Sequence, residues 1–526
     1  MALTESAITV ESMDKNRPKA ATTFDYLVVG GGTAGSVLAA RLSEDPARRV
    51  LLLEAGSADG CASMADPRAW IGLWGSSVDW ADQTIPQTRS DGAVYAWPRG
   101  KVLGGSSSIN GMIHLRAHHA SYDHWDALGA RGWNYRSLLP FLQRSESVVG
   151  RDDHVRGQDG PMTIAPGGEP DPLSSAWFSA AVEAGHTVNP DGNGMVTDGV
   201  SWTEMNVVGG RRQSAADAYL RPHLDRPNLV VVTDAHVQRL LFDGRRCRGV
   251  DYTTGAGDHR VDVEREVVVC AGAVGSAQLL MLSGIGPADH LRHNGVDVVV
   301  DASGVGQDLQ DHPLCWLAYA AARPLPPSAA VPHVLLRSDG GDGDPDLQIG
   351  FAPMAVGPRW AIQETAGYCV TFSLMTPTSR GSVRLGGPGP RDPLLIDPAY
   401  FAEDDDLDRM VAGLRRAHDI GEAEALTPWR GAPQRPVDIS DDEACRAYVR
   451  ASAVSYFHPV GTCRMGTDRR AVVDPQLRVV GVDGLRVADA SVMPAIVSAN
   501  TNATVLAIAE RAAALLTSSA DGAAHL

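Results

Sequence analysis

The sequence has no basic excess. Its 46 lysines and arginines stand against 63 acidic residues, a formal net charge of −17. Binding along a phosphate backbone needs a positive footprint, so nucleic acid is not an expected partner. No run of about 18 apolar residues occurs, and no membrane span is expected. The first 22 residues lack an apolar stretch, because Glu5, Glu11, Asp14 and Lys15 interrupt them. A secretory signal is therefore not expected, and the cytoplasm is the expected location. The seven cysteines (Cys61, Cys247, Cys270, Cys315, Cys369, Cys445 and Cys463) are scattered without a CxxC spacing. That suits neither a disulfide framework nor a zinc site. His114 and His118 stand four apart beside His119, but no carboxylate or further histidine completes a ligand set, so no metal is expected. A Gly-x-Ser-x-Gly elbow is absent too, which disfavours hydrolase chemistry.

What is present begins with size. A chain of 526 residues, 44% hydrophobic and 21% charged, has the composition of a soluble globular protein too long for one ordinary domain. Residues 24–30 form a short apolar run that ends in three glycines. Small and apolar residues at helical spacing follow over 33–42, then a second apolar run over 48–54. This reads as strand, glycine turn, helix, strand: a βαβ unit. Gly30, Gly32 and Gly35 fit G-x-G-x-x-G. In that motif the first glycine permits the turn, the second lets backbone approach a pyrophosphate, and the third lets helix and strand pack closely. The helix N-terminus then offers N–H donors to the phosphates. Glu54 ends the second strand, where a carboxylate would accept from ribose hydroxyls and would repel a ribose phosphate. The unit by itself suits NAD or FAD equally.

Strand patterns recur over 229–233, 237–242, 260–270, 296–300 and 485–488. Others over 334–336, 347–351, 369–374 and 382–385 are separated by Pro and Gly clusters, which suits an antiparallel sheet. Helical spacing marks 136–148, 404–424 and 504–516, whereas 62–98 and 150–172 read as loop. The expected fold class is α/β (α+β overall). A Rossmann-like nucleotide domain is assembled from 24–173, 221–313 and 445–518. A substrate domain with an antiparallel sheet flanked by helices takes 174–220 and 314–444. Residues 1–23 and 519–526 are expected to be flexible tails.

Six ordered segments carry a family resemblance. RGKVLGGSSSIN (99–110) and GAVGSAQLLMLSGIG (272–286) resemble the two signatures of the glucose–methanol–choline (GMC) oxidoreductases. The second departs from the usual pattern at Ala277. VGQDLQDHP (305–313), FHPVGTCRMG (457–466), GLRVADAS (484–491) and SANTNAT (498–504) resemble later landmarks of that family. The resemblance implies an FAD domain and a substrate domain. It implies FAD contacts from Gly30, Gly32, Thr33, Ala34, Gly35, Glu54, Ala55, Arg99, Val102, Gly104, Gly105, Ser106, Asn110, Gly111, Val237, Ala271, Gly272, Asp489, Ala490, Asn500 and Thr501. Val237 would reach the adenine through its backbone, Asp489 would start a short helix near the pyrophosphate, and Asn500 would lie near the flavin ring. Some members link FAD covalently through a histidine in the first signature. Ile109 stands there in this chain, so noncovalent FAD is expected.

The resemblance also implies the chemistry. A small primary alcohol gives its hydroxyl proton to a base and a hydride to flavin N5, yielding an aldehyde. His458 is the implied base and Asn502 its partner, a His–Asn pair where other members have His–His. Histidine suits a base that works near neutrality. His312, in the Asp-His-Pro landmark, is expected to hold a loop. Segments 160–164, 322–328 and 376–385 resemble family members that oxidise a pyridine hydroxymethyl group, which implies a pyridoxine-like or aryl hydroxymethyl substrate. Choline-type oxidation, and a flavin-bound hydroxynitrile lyase with no net redox change, are the alternatives. The electron acceptor, oxygen or another, and the oligomeric state have no signature in the sequence.

Overall fold

Five segments end in valine or leucine, among them Val50–Leu53 with four apolar residues in a row, and burying both faces of such runs requires a central parallel sheet. The computed structural model, which describes residues 23–328, 330–341, 343–357 and 366–522, pairs them in the order Leu229–Val232, Val50–Leu53, Phe24–Val29, Gly257–Val269, Leu485–Val487. Register follows from mutual burial: Val28 stands opposite Leu52 on one side and Val268 on the other. Gly257–Val269 is long enough to do two things. Its second half lies in the parallel sheet, and its first half pairs antiparallel with Arg246–Thr254, which pairs with His236–Asp243. The helices Thr33–Leu42 and Asn502–Gly522 pack together, and a fork from Arg41 to buried Glu510 at 2.7–3.0 Å ties them. The last helix thus runs through residues 519–522, where a tail was expected. Residues 1–22 and 523–526 of the expected tails lie outside the described residues.

The second sheet is antiparallel, in the order Arg430–Pro433, Pro313–Ala321, Gly367–Leu374, Leu347–Ala352, Pro332–Leu336, Gly199–Trp202. Val454–Ser455 pairs with the start of Pro313–Ala321. The strand period of two divides its residues between two environments. Val370 and Phe372 join the core beneath the helices Pro172–Glu183, Asp404–Glu422 and Asp442–Ser452, while Thr371 faces a cavity that Cys369, also part of the core, borders. Pro172–Glu183 is a helix that sequence patterning missed. Its signal was the cap: Asp171 accepts from the N–H groups of Leu173 and Ser174 at 2.9 and 3.1 Å, with Pro172 in the first helical position. Pro313–Ala321 was missed because it is buried on both faces and so shows no alternation. Two stretches pack otherwise than expected. Ala215, Ala216, Ala218, Tyr219 and Leu220 are buried in the core of the first sheet, and residues 445–454 contribute to the core of the second.

Candidate active site

One cavity of about 940 Å³ meets the carboxyl ends of the parallel strands at Val29, Leu53 and Cys270, and one face of the second sheet at Leu314, Trp316 and Thr371. Ligands of open α/β sheets bind at such strand ends. All residues expected to contact FAD or to act in catalysis line it except Gly35, Val102 and Gly104. Those three act behind it. A Cβ on Gly35 would stand 1.8 Å from the Gly30 carbonyl oxygen, so this glycine is what lets the helix cross the strand. Val102 is buried with Leu73, Val78 and Ile109. Gly104 turns the chain at a φ of +89°.

The nucleotide end is polar and already tied down. Glu54 accepts from the N–H groups of Gly31 at 2.7 Å and Gly56 at 2.8 Å, and burial still pushes its carboxyl up to about 7. Asp489 caps the short 3₁₀ turn Ala490–Val492. It accepts from the N–H of Gly272 at 2.9 Å and of Ser491 at 2.8 Å, and from the hydroxyls of Ser276 and Ser491. Burial raises its carboxyl as well. Arg99 bonds Asp82 and lies over the Trp80 ring at 5.5 Å. Arg212, which no motif flagged, grips the Asn110 turn. It donates to the Asn110 carbonyl at 2.6 Å and side-chain oxygen at 2.8 Å, and burial lowers it to about 10.

The other end of the cavity is built around His458. Val454–Ser455 leaves the second sheet, and Phe457 takes a φ of 65°, a left-handed conformation costing about 1–2 kcal/mol for a bulky residue. Neighbouring bonds hold that turn. The His458 N–H donates to Asp311 at 2.7 Å, and the Phe457 N–H to the Ser455 hydroxyl at 2.7 Å. Asp311 also accepts from the hydroxyls of Ser455 (2.6 Å) and Tyr400, and burial brings its carboxyl up to about 6. The turn aims the His458 ring into the cavity, with Nε2 3.2 Å from Asn500 Nδ2 and Nδ1 2.8 Å from His312 Nδ1. Burial, and then the adjacent His312, hold His458 well below the usual histidine range, and burial, opposed by the carbonyls of Met375 and Val497, takes His312 to about 3.

The expected partner of His458, Asn502, is elsewhere. It is the first residue of the last helix, and that helix begins beside the N-terminus of Thr33–Leu42. Its Oδ1 accepts from the Thr33 hydroxyl at 3.1 Å, and its Nδ2 is buried without a partner. Asn500, two residues earlier and off the helix, is the asparagine that meets His458. Both lie in SANTNAT, and the motif alone does not say which of them turns toward the second sheet. Elsewhere, Asp152, Asp153 and His154 lie together on the surface as the one group of three metal-capable side chains among the described residues. No helix among those residues is long and apolar enough to cross a membrane.

The chain matches the GMC oxidoreductase family over residues 24–314 and again over 377–509. It belongs to that family. Human choline dehydrogenase, mitochondrial, is 39% identical over 531 residues, covering 94% of this chain and 89% of that protein. The oxygen-dependent choline dehydrogenase of Brucella ovis is 36% identical over 521 residues, covering 93% and 94%. Among solved structures, pyridoxine 4-oxidase from Mesorbium loti superposes with a TM-score of 0.91 at 37% identity, covering 94% of this chain and 99% of that one. As a GMC oxidoreductase the chain is an FAD-dependent enzyme acting on CH–OH groups. The α/β fold with a second, antiparallel sheet is that of the family.

Proposed function

We propose that this GMC oxidoreductase binds FAD noncovalently and oxidises a small, uncharged primary alcohol to its aldehyde. In this reading His458 is the base and Asn500 holds the substrate oxygen. The observation that carries it is one continuous cavity with a nucleotide-type glycine turn at one end and the His458 Nε2–Asn500 Nδ2 pair at the other.

The residues present fit the cofactor. A Cβ on Gly111 or Gly272 would meet nothing within 4 Å, so backbone is open to the cavity there. Asn502 Nδ2 is a buried donor without a protein partner, beside the N-terminus of Thr33–Leu42. Ile109 is apolar and offers no nucleophile for a covalent link. Bound FAD would supply the acceptor for the hydride that leaves the carbinol carbon.

The chain's own groups do the rest. His458 Nε2 takes the hydroxyl proton, and Asn500 Nδ2 donates to the oxygen as it gains charge. A preorganised donor of this kind lowers a barrier by about 3 kcal/mol. The burial that keeps His458 neutral also strengthens its attraction to that oxygen once it is protonated.

The choice of an uncharged substrate rests on the cavity wall. Among the described residues, every cavity-lining residue from Leu314 through Thr371 is uncharged, with Trp316, Phe351 and Val356 prominent. The carboxylates that line the cavity among the described residues are committed: Glu54 and Asp489 to backbone amides at the nucleotide end, and Asp66 to capping the turn Pro67–Leu73. An aryl or pyridine hydroxymethyl compound fits such a wall. Choline is the second reading, favoured by the choline dehydrogenase relatives and by aromatic rings able to face a quaternary ammonium. Anaerobic mixing of the holoprotein with pyridoxine, benzyl alcohol or choline, followed by the flavin's visible absorbance, tests both. Bleaching by a neutral aryl alcohol is expected. Bleaching by choline alone overturns the uncharged-substrate reading. No bleaching by any alcohol, with cyanohydrin cleavage, turns the reading to a lyase. Fast recovery of colour in air would mark oxygen as the acceptor.

A further inference from the structure

Which nitrogen of His458 is bare decides whether it can act as a base, and a second histidine stands where it can make that choice. We propose that His312 is a positioning residue that holds His458 in its Nδ1–H tautomer and so leaves Nε2 free to take the proton. This rests on the role proposed above for His458.

The argument starts from an atom with no ambiguity. The Met375 carbonyl oxygen can only accept, and it lies 2.9 Å from His312 Nε2. His312 Nε2 therefore carries a proton. His312 is fully buried and burial keeps it neutral, so that is its one ring proton and its Nδ1 is a lone pair. This lone pair is 2.8 Å from His458 Nδ1. Two lone pairs at that separation would repel, so His458 Nδ1 carries the proton and donates it. His458 is neutral too, which leaves its Nε2 bare and facing Asn500 Nδ2 at 3.2 Å. The Asn500 amide has its own orienting contact, since its Oδ1 accepts from Gln348 Nε2 at 3.4 Å. Every donor in the row then points one way: Gln348, Asn500, His458, His312, Met375.

Asp311 adds a second grip on the same residue, through the His458 N–H at 2.7 Å. The adjacent pair Asp311–His312 thus sets both the backbone and the ring of His458. The other groups against His458 are Tyr456, whose ring centre is 4.5 Å away, and Asn500; behind Asp311 stand Ser455 and Tyr400. In the reaction the O–H bond would break toward His458 Nε2 as the C=O bond forms, and FAD, when bound, would accept the carbinol hydride with its electron pair. The proton stops at His458, because beyond His312 lie only the backbone carbonyls of Met375 and Val497.

The test uses holoenzyme with ¹⁵N-labelled histidine. In wild type, the His458 signals, assigned by their loss in His458→Gln, should show a protonated Nδ1 and a bare Nε2. A protonated Nε2 overturns the proposal without any reference to activity. His312→Phe removes the acceptor, and should populate the other tautomer and slow flavin reduction about 10- to 100-fold, as loss of an orienting partner does. KM should change little. His312→Asn returns an oxygen acceptor near the Nδ1 position and should recover most of that rate and the Nδ1–H signal. Reduction by His312→Phe at the wild-type rate, or no recovery in His312→Asn, contradicts it. If His312→Phe does not fold, the wild-type tautomer and His312→Asn still decide. If wild type reduces with no alcohol, the proposed function fails while the tautomer assignment stands on its own.

Discussion

Replacing the two asparagines of SANTNAT separately distinguishes the geometry from the motif. Asn500 Nδ2 is 3.2 Å from the base nitrogen, where a substrate oxygen held by both would sit; Asn502 is bonded to Thr33 at 3.1 Å, toward the nucleotide end. Removing one preorganised donor to a developing oxyanion costs about 2.7–4 kcal/mol, or roughly 100- to 1000-fold in rate. Asn500→Ala should therefore slow flavin reduction at saturating alcohol by about that factor with FAD still bound. Asn502→Ala removes one neutral hydrogen bond, about 1 kcal/mol, and exerts it on cofactor retention. FAD should bind about fivefold more weakly while reduction stays within about threefold of wild type. Anaerobic stopped-flow reduction gives the first quantity and fluorescence titration of apoprotein with FAD the second. A slow Asn502→Ala beside a near-normal Asn500→Ala would refute the assignment.

Other outcomes follow from the same structure. Because burial and His312 hold His458 well below the ordinary histidine value, its neutral form persists as pH falls through 6.5. The reduction rate should stay level from pH 8 to 6 and drop only at lower pH; an apparent pKa at or above 6.5 would contradict this. Acid precipitation should release the yellow cofactor into the supernatant, and colour kept in the pellet would contradict noncovalent binding. Gly35→Ala places a Cβ 1.8 Å from the Gly30 carbonyl oxygen. The helix must shift, at a cost of about 3 kcal/mol or more, and soluble protein should be FAD-free; a stable, fully loaded variant would show that the crossing is not as close as described.

The βαβ unit was legible because Phe24–Val29, its glycines and Thr33–Leu42 obey local rules of turn and periodicity. The strands of the second sheet that alternate or sit between Pro and Gly clusters were legible too, such as Leu347–Ala352. Pro313–Ala321 was not, since a strand covered on both faces carries no period. In the site, His458 and the glycine turns lining the cavity are carried by short contiguous motifs. The contacts that organise them were not visible, because they join residues far apart in sequence: His312 to His458, Arg212 to Asn110, Asn502 to Thr33. His312 was noticed only as part of a landmark and expected to hold a loop. It does border a turn, but its ring is spent on His458 and Met375.

The most direct test of the account is the rate of anaerobic flavin reduction by a neutral aryl alcohol in wild type and in His458→Ala, both confirmed to hold FAD. The account predicts rapid bleaching in wild type and a rate about 100- to 10,000-fold lower in the variant. Equal rates in the two proteins would remove His458 from the reaction and contradict it.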